Sequence, residues 1–152
     1  MREEQTKRRG RVAVRILFVI YVIVLAYFLF FSERYGRTED QAYRYNLIPF
    51  REIMRYLRYR QIFGVEYFIV NIVGNVMAFA PFGFLLPIVS SQNRDFLSVA
   101  LYSVELSFGV ELVQLTFQVG IFDVDDVIMN TTGCIIGYVC FILLRKKLKK
   151  LL

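Results

Sequence analysis

The sequence has no histidine and no tryptophan, and only three prolines and two cysteines among 152 residues. Without histidine there is no Ser-His-Asp triad, and both the commonest general base and the commonest neutral zinc ligand are missing. The two cysteines, Cys134 and Cys140, share one apolar run. Six residues apart, they point about 240° from each other round a helix, so they can neither bridge nor pair on a metal, and they read as small packing residues. No cofactor is expected, and the residues leave a metal open. Acidic residues are also few, giving a net charge of +6. The excess base crowds the two ends of the chain, a distribution that points to anionic lipid and membrane orientation rather than to nucleic acid.

The chain is instead rich in long apolar runs, with 57% hydrophobic residues. Four of them, at 12–31, 67–89, 96–117 and 124–144, each have about the 20 residues that cross a bilayer as a helix. They leave no room for a separate soluble domain. The first run is too long for the apolar core of a cleavable signal and is followed by Phe30-Phe31-Ser32-Glu33, with no small-residue cleavage site. Arg15, one turn inside this run, can reach back to the interface. The expected fold is all-α: one membrane domain of four spanning helices plus one interfacial helix.

Eleven basic residues flank the set: Arg2, Lys7, Arg8, Arg9, Arg11 and Arg15 before it, and Arg145, Lys146, Lys147, Lys149 and Lys150 after it. An even number of crossings puts both tails on one side, which the positive-inside rule makes cytoplasmic. The 90–95 loop is then inside, and the 118–123 turn, with no lysine or arginine, outside. The long outer segment 32–66 nevertheless carries seven arginines, at 34, 37, 44, 51, 55, 58 and 60. Its second half accounts for some of them. Phe50, Ile53, Met54 and Leu57 fall on one helical face, and Arg51, Arg55 and Arg58 on the next, with Pro49 at the start. This predicts an amphipathic interfacial helix over 50–63. The stripe either anchors the chain through phospholipid phosphates or grips a phosphate-bearing ligand in the outer leaflet.

Polar side chains recur at one depth. Asn71 and Asn75 share a face of the second run, which Pro81-Phe-Gly83 is expected to interrupt near its middle. Ser107, Glu111 and Gln114 share a face of the third. Asp123, Asp126, Asn130, Gly133 and Gly137 span an arc of about 80° on the fourth, where the glycines permit close approach to a neighbouring helix. Asp125 points to another face and sits either at the interface or at the N-terminus of its own helix, where negative charge is favoured. Taken singly, the amides could be interhelical hydrogen-bond glue. A carboxyl costs roughly 2.5–3.5 kcal/mol in a bilayer, and no lysine or arginine lies in the second to fourth runs. Glu111 and its neighbours together therefore predict a polar pocket in the outer half. Glu105 lies near mid-membrane on another face, either protonated or touching another chain.

Several ordered blocks resemble the VanZ-like family of small bacterial membrane proteins. They are Asn46-Leu-Ile-Pro49-Phe50; Asn71-Ile-Val-Gly74-Asn75 with Phe79-Ala-Pro81-Phe-Gly83 and Leu86-Pro87; Ser107-Phe-Gly-Val-Glu111-Leu-Val-Gln114; and Phe122-Asp123-Val-Asp125-Asp126 running into Asn130-Thr-Thr-Gly133 and Gly137-Tyr138. The similarity covers about residues 46–138. One departure is Gly120-Ile121, where many members carry an arginine. The resemblance implies a bacterial multi-pass membrane protein linked to teicoplanin-type glycopeptide resistance. The expected ligand site comprises Asn46, Pro49, Arg51, Arg55, Arg58, Asn71, Asn75, Glu111, Gln114, Asp123, Asp126 and Asn130. Its expected partners are membrane lipids and a lipoglycopeptide or lipid-linked cell-wall precursor. A membrane enzyme acting on a lipid head group, or a small transporter or scaffold, stays open as an alternative; the oligomeric state is not readable.

Overall fold

The computed structural model describes residues 2–31, 45–90 and 95–151. The expectations placed on arginines 34, 37 and 44 and on most of the 90–95 loop lie outside the described residues, as do the side chains of Arg2, Arg60, Lys149 and Lys150. Five helices make up an all-α architecture. Helix α1 is Arg2–Phe31, α2 is Arg51–Phe63, α4 is Phe96–Thr116 and α5 is Val124–Leu151. Between α2 and α4, α3 (residues 65–89) joins Val65–Phe68, a π-helical turn Ile69–Val73 and Gly74–Val89. Two-residue strands β1 (Tyr45–Asn46) and β2 (Phe122–Asp123) pair in parallel, Tyr45 with Phe122 and Asn46 with Asp123.

Four helices are long and apolar enough to cross a membrane: Lys7–Phe30, Ile69–Val89, Phe96–Thr116 and Val124–Leu148. These agree with the four apolar runs, because a backbone in hydrocarbon must satisfy its hydrogen bonds within its own segment. Large apolar side chains cover the outside of the bundle; Ile23 is 62% exposed and Leu143 75%. Such a surface requires lipid as its solvent. The small core is built from Leu25 and Leu29 of α1, Phe79 and Phe82 of α3, Val110 of α4 and Cys134 of α5.

Helices α3 and α5 make the most extensive contact. Gly83 of α3 and Gly137 of α5 explain how they approach. A Cβ on Gly83 would lie 1.8 Å from the Cys134 carbonyl oxygen, and one on Gly137 1.8 Å from that of Ala80. Pro81 and Pro87 sit inside α3, and helix continues through both. The expected interruption at Pro81 is therefore not found. The departure from α-geometry comes earlier, at the π turn that carries Asn71. Beside Pro81 the helix is held from both sides, by α5 and by the Tyr21 hydroxyl of α1, which donates to the Ala78 carbonyl at 2.8 Å. Helix α4 starts at Asp95, whose carboxylate accepts from the Ser98 N–H at 2.9 Å and the Ser98 hydroxyl at 2.7 Å. These bonds to Ser98 hold the Asp95 carboxyl below the usual carboxylate range.

Candidate functional site

The end of the bundle where α1 and α4 finish and α5 begins carries the polar residues. Its outermost part is a junction between two short stretches of chain. Asn46 on β1 donates through Nδ2 to Asp123 Oδ1 on β2 at 3.0 Å, and its own Oδ1 accepts from the Ile48 N–H at 3.2 Å. Asp123 Oδ1 also accepts the Asp125 N–H at 2.8 Å. The chain turns through Pro49 and then Phe50, which is left-handed at φ 65° and offers no side-chain cap to α2. Asp125 supplies that cap from across the structure. Its carboxylate accepts from the backbone N–H of Phe50, from Glu52 at 2.7 Å and from Ile53 at 3.1 Å. Negative charge at a helix N-terminus is favourable, and these are donors that the helix itself cannot satisfy.

A second layer lies inside the bundle. Glu111 of α4 is 1% exposed, and its Oε2 accepts the Asp123 N–H at 2.9 Å. Asn75 of α3 donates to Asp126 of α5 at 2.8 Å. Asn130, one turn further along α5, donates to the Ser107 hydroxyl of α4 at 2.9 Å. Gln114 reaches the other way, to the Leu29 carbonyl of α1 at 3.0 Å. Each spanning helix thus contributes to one hydrogen-bonded level. Among the described residues, the buried oxygens Asn130 Oδ1 and Thr131 Oγ1 lack a partner, the kind of orphan that calls for an explanation in a buried layer.

Access differs sharply between these residues. Asn46, Glu111, Gln114, Asp123 and Asn130 are buried, whereas Asn71, Asn75 and Asp126 are half-buried along the α3–α5 edge. Pro49, Arg51, Arg55 and Arg58 are exposed. Arg55 pairs with Glu52 at 2.7 Å and lies 5.7 Å from the Tyr56 ring centroid. The level is thus acid-rich: Glu111, Asp123, Asp125 and Asp126 lie beneath the arginine-bearing α2, which itself carries Glu52. Burial pushes the Asp123 carboxyl above the ordinary aspartate range, and the Asp125 charge adds to this against the bonds from Asp125 N–H and Asn46. Burial likewise raises Glu52, opposed chiefly by Arg55. Among the described residues, no group of three or more acidic or cysteine side chains is arranged to hold a metal ion.

The structure brings Asn46, Asn75, Glu111, Asp123, Asp126 and Asn130 together and joins Gln114 to the same level through α1. Asn71 sits two turns from the centre of α3, on the π turn. Among the described residues, Arg51, Arg55 and Arg58 rim this end with no hydrogen bond to the buried layer, and Arg55 acts electrostatically on Asp123. Sequence reasoning missed the part played by Asp125, which is fully buried. The signal was present: α2 begins after Pro49-Phe50 with no Ser, Thr, Asp or Asn to cap it, so its cap had to come from elsewhere. Glu105, expected near mid-membrane on another face, lies at the middle of its span and on the exposed side of α4.

The VanZ/LLP1 family profile matches residues 18–145. The chain is 28% identical over 131 residues to Protein VanZ of Enterococcus faecium, covering 84% of this chain and 73% of that protein. No solved structure matches. The blocks that carry the resemblance are the ones that meet in space, Asn46–Phe50 against Phe122–Asp126 and Ser107–Gln114 against Asn130. The chain is a membrane protein of the VanZ/LLP1 family.

Proposed function

We propose that the polar end faces the outer leaflet and binds a glycopeptide, a lipoglycopeptide or a lipid-linked cell-wall precursor, changing the antibiotic's access to its target. The orientation follows from the basic tails, which favour the cytoplasm and leave the polar end outside. The observation that carries the reading is the tether between α2 and the buried layer. Asp125 caps α2 and so sets an amphipathic, arginine-bearing helix beside the half-buried Asn75–Asp126 pair. Arginines on such a helix suit phosphate or carboxylate groups at head-group depth, while the amides and carboxyls beneath suit hydroxyl and amine groups. In this arrangement the fully buried residues hold the level in place. Asn71, Asn75, Asp126 and the arginines are the groups a ligand would touch.

The test is direct binding by the full chain in lipid nanodiscs, with fluorescent teicoplanin in one arm and a pyrophosphate-linked polyprenyl disaccharide precursor in the other. Arg51→Gln, Arg55→Gln and Arg58→Gln combined should weaken the productive arm at least about tenfold, since charge-assisted bonds contribute about 1.5–3 kcal/mol each. Saturable binding in neither arm, or equal binding by the triple variant, would refute the assignment.

A further inference from the structure

Glu105 stands apart from everything described so far. It lies about 180° round α4 from the inward face formed by Ser103, Ser107, Val110, Glu111 and Gln114. It is exposed, and it falls at the middle of the span Phe96–Thr116. Its neighbours on that face are exposed and apolar, including Leu101 and Leu112. Among the described residues no hydrogen bond or ion pair reaches it. One turn along, Gly109 leaves a notch: a Cβ there would meet nothing within 4 Å. A carboxyl facing lipid at this depth is costly, so such a group ordinarily faces protein or a water-filled cavity.

The geometry points to a second copy of this chain as the cover, with α4 packed on α4 about a two-fold axis and Glu105 meeting Glu105 of the other copy. In an isologous contact a residue near the axis meets itself. A carboxyl in its acid form both donates and accepts, so it is satisfied by its own kind. The notch at Gly109 lets the two backbones approach closely, as small residues do at helix interfaces in lipid. Among the described residues, the other lipid-facing donors suit Glu105 less well: the exposed Tyr27 hydroxyl of α1 lies about 10 Å from its level, and the Tyr102 hydroxyl, on α4 itself, would come from the same helix of the second copy. The Thr116 and Thr132 hydroxyls are engaged by carbonyls of their own helices. Arg15, the deepest base on α1, lies about 7 Å nearer the chain termini than Glu105, taking Leu29 and Gln114 as level and 1.5 Å per residue. Its side chain reaches the head groups from there.

Subunit counting by single-molecule photobleaching of the full chain in liposomes, across a series of lipid dilutions, tests this. Wild type should give two-step bleaching that declines on dilution. Glu105→Leu and Gly109→Leu should each need about tenfold higher protein density for half-dimerisation, since interhelical polar contacts are of that size. Glu105→Gln, whose amide also donates and accepts, should stay within about threefold of wild type by the same scale. Because Glu105 has no partner within the chain among the described residues and a Cβ at Gly109 would meet nothing within 4 Å, helix content should not change. If a variant does misfold, Gly109→Cys in a Cys140→Ser background should form a disulfide-linked dimer while Val104→Cys does not. A wild type that is monomeric at every density, an unaffected Glu105→Leu, no Gly109→Cys dimer, or an Arg15→Gln variant as weakened as Glu105→Leu would each overturn the self-pairing.

Discussion

Most of the polar residues at this end of the bundle serve one another, and Asp125 shows what that means for a single side chain. It sits in the first turn of α5 yet accepts three backbone N–H groups at the start of α2. Removing it strands those donors, each worth about 1–3 kcal/mol when buried without a partner. Part of that cost is relieved if α2 swings out to water or head groups. Asp125→Ala should therefore release α2 and leave the four spans intact. Hydrogen exchange of amides 51–57 should rise by about tenfold or more, consistent with a loss of some 2 kcal/mol, while amides of α3 and α5 stay protected. Uniform loss of protection would mean that Asp125 supports the whole bundle. Glu111 differs in kind. Its contact with Asp123 N–H needs only an acceptor oxygen, which glutamine also has, so the carboxyl itself is not required by the fold.

At the scale of elements, the close approach of α5 to a neighbour was legible from Gly133 and Gly137 falling on the same arc as Asp126 and Asn130; that the neighbour is α3 was not. The reciprocal Gly83 was read only as part of a proline break. A proline in an isolated helix does loosen it, but here the neighbouring helices hold the segment, information that local spacing does not carry. The four spans and the interfacial helix were legible because length, apolarity and amphipathic period are local properties. The two-residue strand pair and the cap from Asp125 were not, because they join residues more than 70 positions apart. For the candidate site, common depth was readable from helix rise alone. The division into buried supports and a half-buried edge depends on how each helix is rotated, which only packing sets. The α3–α5 contact leaves no room for a side chain at Gly137. Gly137→Val places a Cβ against the Ala80 carbonyl and should cost about 3 kcal/mol, the upper end of overpacking penalties, because the obstacle is backbone. Thermal unfolding in detergent checks this: a midpoint within 1 °C or so of wild type, well below the shift such a loss brings, would show that the helices can separate freely.

For the whole molecule, function depends on orientation and on the use made of the polar end. Both termini are expected in the cytoplasm. A cysteine introduced at position 5 or 150 should resist a membrane-impermeant thiol reagent in intact cells, and one at Ile48, exposed beside the junction, should react. The reverse pattern would place the polar end inside and remove the ligands proposed for it. The most direct test of the central claim is teicoplanin susceptibility in cells producing wild type, Asp126→Asn, Glu111→Gln or Glu105→Gln at matched membrane abundance. Wild type should raise the inhibitory concentration over an empty vector. Asp126→Asn keeps the shape and an acceptor for the Asn75 amide but loses a carboxyl on the half-buried edge that the ligand would meet. It should return cells to the vector level, whereas Glu111→Gln, a buried support that keeps its acceptor for Asp123 N–H, and Glu105→Gln, on the far face of α4 and still able to pair, should match wild type. Full resistance with Asp126→Asn, or a defect confined to Glu105→Gln, would contradict the assignment of the polar level as the working site.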